Sequence, residues 1–192
     1  MIQPLGSNFK VNKRQKRMLG IIKDNIAGDT LFMEVSEFLK SNGFTICSSD
    51  LERPWGGFFV LEEKDARKFA SLFFPELSFE IIENGNNLSP KILVVAPQKR
   101  LSWQYHFRRA EIWKLIDGTA GIIKSDSDEP KPLENLNINE TIVLEKGKRH
   151  RLVGLNTWGI VAEIWQHTDK DFPSDENDIV RLQDDFGRNS PS

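Results

Sequence analysis

Beyond about Leu77 the chain is a succession of short runs rich in β-branched and aromatic residues: "LSFEII", "KILVVAP", "LSWQYHF", "EIWKLIDG", "TAGIIK", "ETIVLEKG", "HRLVGL" and "GIVAEIW". Punctuated at this spacing by Gly, Asn and Pro, such runs indicate a β-sandwich or small barrel and not a parallel α/β sheet. The second half is therefore expected to be all β. Before it the texture is helical. From about Asn12 to Lys40 apolar residues recur every three or four positions, as in Met18, Ile21 and Ile22 and then Leu31, Phe32, Val35, Phe38 and Leu39. Gly28 breaks this pattern into two helices, with Asp29 and Thr30 offering a cap to the second. Lys64 and Asp65 before "ARKFASLFF" predict a further short helix that Pro75 ends. At 192 residues the chain holds one main domain with a helical appendage and needs no disulfide or metal to complete a core. The expected division is a helical segment over 1–50, the β domain over 51–188 and a flexible tail over 189–192.

Several function classes are set aside by composition. Hydrophobic residues make up 39% and charged residues 28%, an ordinary globular balance. No apolar stretch approaches the roughly 18 residues of a spanning helix, and "MIQPLGSNFKVNKRQKR" lacks the apolar centre of a secretory signal. A cytoplasmic protein without a membrane partner is expected. The lone Cys47 allows no intramolecular disulfide and reads as a partly buried filler. A net charge of −2 gives no field to attract nucleic acid, and "KVNKRQKR" reads as a solvated helix face because no aromatic residues interleave it. "SDSDEPKP", from Ser125 to Pro132, reads as a solvated acidic loop.

"LSWQYHFRRAEIW", residues 101 to 113, concentrates polar chemistry in an otherwise apolar run. If 101 to 107 is a strand, Gln104 and His106 share one face, joined by Arg108, while Trp103, Tyr105 and Phe107 pack on the other. Glu111 opens the next strand after a tight "RRA" connection. An amide oxygen, an imidazole and a carboxylate thus converge, and His150 in "EKGKRHRL" can swing in as a fourth donor, Gly147 permitting the turn. Mixed nitrogen and oxygen donors suit one divalent transition ion such as zinc, with iron, manganese, cobalt or nickel also accommodated. His167, in "IWQHTD", has no such company and reads as structural.

These segments resemble a known family. "LSWQYHFRRAEIW", then "GTAGI", "KGKRHRL" and finally "DDFGR" look like the cupin domain of type II mannose-6-phosphate isomerases, the domain also fused to mannose-1-phosphate guanylyltransferases. "RPWGGFFVLEE", from Arg53 to Glu63, resembles its opening and "DIVRLQDDFGR" its closing segment, so the likeness covers Arg53 to Arg188. Where the family carries a run of histidines this chain has His106, Phe107 and Arg108, and Ile112 stands where it has one more. The resemblance implies a mainly β fold, the double-stranded β-helix or jelly-roll barrel, beside the N-terminal α-helical segment. It also implies a metal held by Gln104, His106, Glu111 and His150, and isomerisation of a phosphorylated sugar. Arg109 matches an arginine adjoining the ligands. A homodimer through sheet edges is compatible with this class, as is a segment before Arg53 that covers the edge.

Aldose–ketose isomerisation needs carbonyl polarisation, oxyanion stabilisation and a base. The sequence offers Glu163 in "VAEIW" as the base, beside Arg109, and Lys91, Arg151, Arg188 and Arg53 as donors to the phosphate. Among Trp55, Trp103, Trp113, Trp158 and Trp165, one is expected to line the sugar site and most to be core. No Gly-rich dinucleotide fingerprint or Walker-type loop is present, which disfavours a nucleotide-dependent enzyme. The leading expectation is conversion of mannose 6-phosphate to fructose 6-phosphate. Its rivals are a cupin that binds a sugar or sugar phosphate without turnover, as a sensor, and another metal-dependent cupin enzyme such as an epimerase or oxygenase.

Overall fold

Two long alternating segments govern the architecture seen in a computed structural model, which describes residues 20–23, 25–83 and 87–188. The strands are β1 (Ile46–Arg53), β2 (Gly56–Leu61), β3 (Leu88–Val95), β4 (Trp103–Tyr105), β5 (Arg109–Ser125), β6 (Glu134–Asn135), β7 (Thr141–Leu144), β8 (Arg149–His167) and β9 (Val180–Gln183). β5 and β8 pair antiparallel along nearly their whole length, from Arg109↔His167 to Ser125↔Arg149. β3 pairs with the last part of β8 and β7 with the first part of β5, whereas β4 joins the first part of β8 and β6 the last part of β5. The ribbon therefore passes from one half of the sheet to the other. It bends where the register slips, between Leu115 and Asp117 and between Gly118 and Ala120. Gly118 has a φ of +73°, and a Cβ on Gly154 would stand 2.0 Å from the Ala96 carbonyl oxygen, so both positions require glycine. The strand path runs β1-β2-β3-β8-β4-β9, and no pair among the described residues joins its ends. The expected jelly roll is thus open at β1 and β9.

Alternation along the strands builds two cores. Val161, Leu93, Trp113 and Leu115 point between the two halves and meet Ile122 and Leu152 from the far side. The intervening positions Ile112, Ile116, Ile160, Ala162 and Ile164 face outward against helices. Those helices are α1 (Gly28–Ser41), α2 (Ala66–Phe73) and the short α3 (Phe79–Glu83). Phe69 is fully buried among Phe44, Phe73 and Phe74, with ring centroids 5.9, 4.6 and 6.3 Å away. Each such pair adds about 0.5–1.5 kcal/mol beyond its area burial. An inner polar face is thereby left free at the end of the barrel where Glu111, Glu163 and Lys91 continue the inward alternation.

Several expectations are corrected. "LSFEII" is not a strand: Ser78 Oγ accepts from Ile81 N at 3.4 Å, and α3 follows, burying only Ile82. Two strands, β1 and β2, lie ahead of the β-rich runs that begin after about Leu77. "EIWKLIDG" with "TAGIIK", and "HRLVGL" with "GIVAEIW", are single bent strands and not pairs of strands. Cys47 is exposed on β1 and not buried. The first expected helix and the basic cluster fall mostly on residues 1–19, outside the described residues, as does the tail at 189–192. Residues 20–23 and 25–27 are irregular. The buried Asp117 carboxylate holds this segment, one oxygen accepting from the backbone N–H of Gly20, Ile21 and Ile22 at 3.2, 3.0 and 3.3 Å.

Candidate metal centre and its pocket

Ladder register brings the four expected ligands together. Gln104 on β4 stands opposite His150 on β8, so the two side chains leave one face. Glu111 lies on β5 and His106 in the corner between β4 and β5, and all four residues are buried. His106 Nε2 is 3.2 Å from Glu111 Oε1, and His150 Nε2 is 3.2 Å from Glu111 Oε2. The ligating atoms of these three residues lie within 4.8 Å of one another.

A backbone carbonyl fixes each imidazole. His106 Nδ1 lies 2.5 Å from the Asp178 carbonyl oxygen and His150 Nδ1 lies 2.8 Å from that of Lys148. A carbonyl only accepts, so each Nδ1 carries the proton and each Nε2 turns a lone pair toward Glu111. Burial pushes the His106 pKa down to about 3, and the neighbouring Arg109 charge works the same way, so the ring is neutral at pH 7. Burial alone would raise Glu111. His106, His150 and the Arg109 guanidinium, all facing it, outweigh burial and hold the carboxyl well below the usual range.

A carboxylate facing two acceptor nitrogens is costly to bury unless a cation or donor stands between them. Arg109 meets half of that demand. Its Nε donates to Glu111 Oε1 at 2.8 Å and its Nη2 to His106 Nε2 at 3.1 Å, while the guanidinium stacks 3.5 Å from the Trp165 ring centroid. The other half, Glu111 Oε2 and His150 Nε2, is buried without a hydrogen-bond partner among the described residues. Two facing acceptors with no proton between them are what a divalent ion completes, so the His106–Glu111–His150 cluster fits a metal. Gln104 Oε1 accepts from Ser102 Oγ at 2.5 Å, and its Nε2 lies 3.4 Å from His106 Nε2. A half-turn of the amide exchanges these atoms, and the oxygen is the one able to ligate.

Gln104, Glu111 and the adjoining Arg109 line a pocket, with the two imidazoles behind them. Glu163 lines it, directly across the ladder from Lys91 on one side and Trp113 on the other. Trp113 Nε1 donates to Glu163 Oε1 at 2.8 Å. Burial, and then the negative charge of Glu111, raise the Glu163 pKa to about 8. This carboxyl is consequently protonated at neutral pH. Burial lowers the Lys91 pKa, though its ammonium is held by Glu176 at 2.6 Å and sits 3.2 Å from the Trp165 ring centroid. Arg53, Arg188, Trp55, Trp113 and Trp165 also line the pocket. Trp158 instead meets Phe32 at a ring-centroid distance of 5.9 Å, and Trp103 donates to the Asp128 carbonyl at 2.7 Å.

Other expected residues lie elsewhere. Arg151 follows His150 on β8, leaves by the opposite face and donates to the Gln183 carbonyl at 3.0 Å. Arg108 does not share the Gln104 side, because β4 ends at Tyr105 and the alternation stops there. Its guanidinium bonds the Pro173 carbonyl and Asp175 and stacks on Phe172, while Phe107 is 61% exposed and meets the Tyr105 ring edge-on at 5.2 Å. His167 is structural as expected. Ser174 N donates to its Nδ1, so its proton is on Nε2, which donates to Ser89 Oγ at 2.9 Å. That tautomer cannot act as a base toward Ser89. In the acidic loop Asp126 and Asp128 pair with Lys148 and Arg149.

Two residues of the site escaped the sequence reading. Asp178 accepts from the backbone N–H of Phe107 and Arg108 at 3.0 and 2.9 Å and from Ser174 Oγ at 2.7 Å, while its carbonyl orients His106. Arg181 on β9 pairs with Gln104 and lines the pocket. Period-two alternation from Ile179 was its only signal, and nothing in the sequence marks which strand lies beside β4.

Comparison with known proteins places these observations. A family model described as mannose-6-phosphate isomerase C-terminal matches residues 62–184. Mannose-1-phosphate guanylyltransferase of Salmonella montevideo is 31% identical over 119 residues, which is 62% of this chain and 23% of that protein. Alginate biosynthesis protein AlgA of Pseudomonas putida is 28% identical over 185 residues, 95% of this chain and 32% of that protein. The chain thus spans a third or less of the length of these relatives. Oxalate decarboxylase from Bacillus subtilis at pH 4.6 superposes with a TM-score of 0.50 at 18% identity, over 70% of this chain and 30% of that one, a likeness of fold alone. The matched span runs from the end of β2 through β9 and contains Gln104, His106, Glu111 and His150. With strand order and clustered side chains both inside it, the chain belongs to the mannose-6-phosphate isomerase C-terminal family and has its cupin-type fold.

Proposed function

We propose that this protein is a metal-dependent aldose–ketose isomerase of a sugar phosphate, interconverting mannose 6-phosphate and fructose 6-phosphate in the cytoplasm. Gln104, His106, Glu111 and His150 hold one divalent ion, zinc by the donor set. The observation that carries this reading is the buried Glu111 Oε2 facing His150 Nε2 with no donor between them among the described residues. When bound, the ion supplies Lewis-acid polarisation of a carbonyl and offsets charge developing on oxygen. The chain's own groups supply the rest. Glu163 removes a proton from the carbon next to the carbonyl and returns it to the neighbouring carbon, through an enediol, while the Trp113 indole holds its carboxyl in place. Arg109 keeps Glu111 ionised and fixes the His106 ring. Lys91, Arg53 and Arg188 are the phosphate donors in this reading. Arg151 is turned away from the pocket and takes part only through Gln183.

The guanylyltransferase activity in one relative's name belongs to a protein of which this chain matches 23%. A coupled assay with a panel of phosphorylated sugars and added zinc is the test, run beside elemental analysis. Turnover of mannose 6-phosphate is expected, and Glu111→Ala should lose both bound metal and at least a hundredfold in rate. Saturable binding across the panel without conversion would support the sensor reading instead.

A further inference from the structure

The outer face of the sheet carries an apolar groove that the described residues leave open. α1 leans on β2 through Phe32 and Phe59, whose ring centroids are 6.4 Å apart, and β1 pairs with β2 alone. Between α1 and β1 lies a space of about 1100 Å³ lined by the buried Phe32 and Phe59, by Leu51 and by Met33, which is 65% exposed. Small-molecule clefts run to about 300–1,000 Å³, so this groove is sized for a stretch of polypeptide. A continuous apolar surface of this kind marks a place that another segment covers.

Charge narrows the occupant. Asp29, Glu37 and Glu52 line the same groove against the single Lys40, and among the described residues none of the three carboxylates is in an ion pair. A basic, partly apolar segment is the complement. Residues 9–19, "FKVNKRQKRML", carry five cations, four apolar side chains and no acid. The chain that follows them is anchored near the groove. Asp117 holds the backbone of Gly20, Ile21 and Ile22, Gly118 sits against Ile22 and the Trp158 carbonyl, and the Trp158 ring meets Phe32 at 5.9 Å. Extended chain covers about 3.3 Å per residue, so about ten residues ahead of Gly20 reach ~33 Å. The 14 residues of α1 span only about 21 Å, which puts the whole groove within reach. A segment tethered so closely meets its site at an effective concentration of about millimolar.

We propose that residues 9–19 dock in the groove between α1 and β1, their apolar side chains covering Phe32, Met33 and Phe59 and their cations facing Asp29, Glu37 and Glu52. The flank of β1 is then closed by the chain's own leading segment. This surface lies on the outer side of the sheet, away from the metal pocket, and does not depend on the sugar-phosphate reading.

Met33 reports on the groove, since peroxide converts an accessible thioether to the sulfoxide and spares a covered one. The full chain is treated with dilute hydrogen peroxide at low salt, and Met33 is followed by peptide mass spectrometry. Changing Lys10, Lys13, Arg14, Lys16 and Arg17 together to Glu should speed Met33 oxidation at least fivefold over wild type. Adding Asp29→Lys, Glu37→Lys and Glu52→Lys to that variant inverts both sides and should bring the rate back to within about twofold of wild type. If circular dichroism shows that the combined variant does not fold, Glu37→Lys alone in the otherwise unaltered chain should speed the oxidation at least twofold. Equal rates in wild type and the segment variant overturn the inference. So does a folded combined variant without recovery, or an unchanged rate in Glu37→Lys. A wild-type rate that falls as protein concentration rises assigns the groove to a second copy of the chain and overturns it as well.

Discussion

At the scale of single residues, Glu163 and Glu111 show how one pocket sets two carboxyls apart. Both are buried, but Arg109 bonds Glu111 directly and keeps it ionised, whereas Glu163 has an indole N–H and the repulsion of Glu111, and titrates near 8. A base with that pKa works only once deprotonated, so kcat/KM should rise about tenfold per pH unit below pH 8 and level off above it. Glu163→Gln should cut kcat by about a hundredfold or more with little change in KM. The same proton affects stability. Between its ordinary 4.5 and about 8, the folded chain keeps a proton that the unfolded chain has released. Stability therefore falls as pH rises through that window, by up to about 1.4 kcal/mol per unit for a full proton. Urea unfolding at several pH values should show this slope in wild type and lose it in Glu163→Gln. Legibility at this scale followed strand parity. Glu111 and Arg109 share a face because they are two apart on one strand, and His150 and Arg151 cannot because they are adjacent. Alternation thus argued against Arg151 from the start, whereas Arg181 depended on a pairing between distant strands that no local pattern encodes.

Among elements, the segment from Pro173 to Asp178 governs the corner that carries His106. Asp178 accepts three hydrogen bonds through its carboxylate, and these hold its pKa below the usual range despite the opposing effect of burial. Asp178→Asn leaves a carbonyl and an amide where two oxygens accepted, so one of the backbone N–H groups of Phe107 and Arg108 loses its acceptor. A loss of about 1–3 kcal/mol in denaturant unfolding is expected, with metal affinity lower by about ten- to a hundredfold as the His106 ring loosens. The bend in β5 and β8 is the second such device. Gly154→Ala forces a methyl into the Ala96 carbonyl, which is backbone and cannot step aside, so the variant should fail to give a cooperative melting transition. These bends were misread in the sequence because Asp117 and Gly118 carry ordinary turn chemistry, yet hydrogen bonding continues past them with only a slip of register. The helix α3 was missed for the opposite reason. Its five residues are strand-prone by composition and too few for a helical period to show, and the Ser78 hydroxyl with the packing of Phe79 and Ile82 on the core goes with the helix.

For the whole molecule, the sheet separates two tasks. Its outer face rests on the helices through apolar contacts, and its inner face grades from an apolar core into the polar pocket. The strand-rich class of the second half was readable because alternation and turn residues are local properties. How β1 and β2 extend that sheet was not, since their positions depend on pairing with β3. Among the described residues no helix is long and apolar enough to cross a membrane. Asp117 ties the chain ahead of α1 to the bend of β5, with its second oxygen also engaged by Gly118 N at 2.8 Å. Anyone excising this domain for crystallography or fusion thus has a fixed lower limit for the cut. Starting after Ile22 strips three donors from a buried acid and should cost about 3 kcal/mol or more, visible as a lower melting temperature. Starting before Gly20 keeps the knot that fastens the leading segment to the barrel.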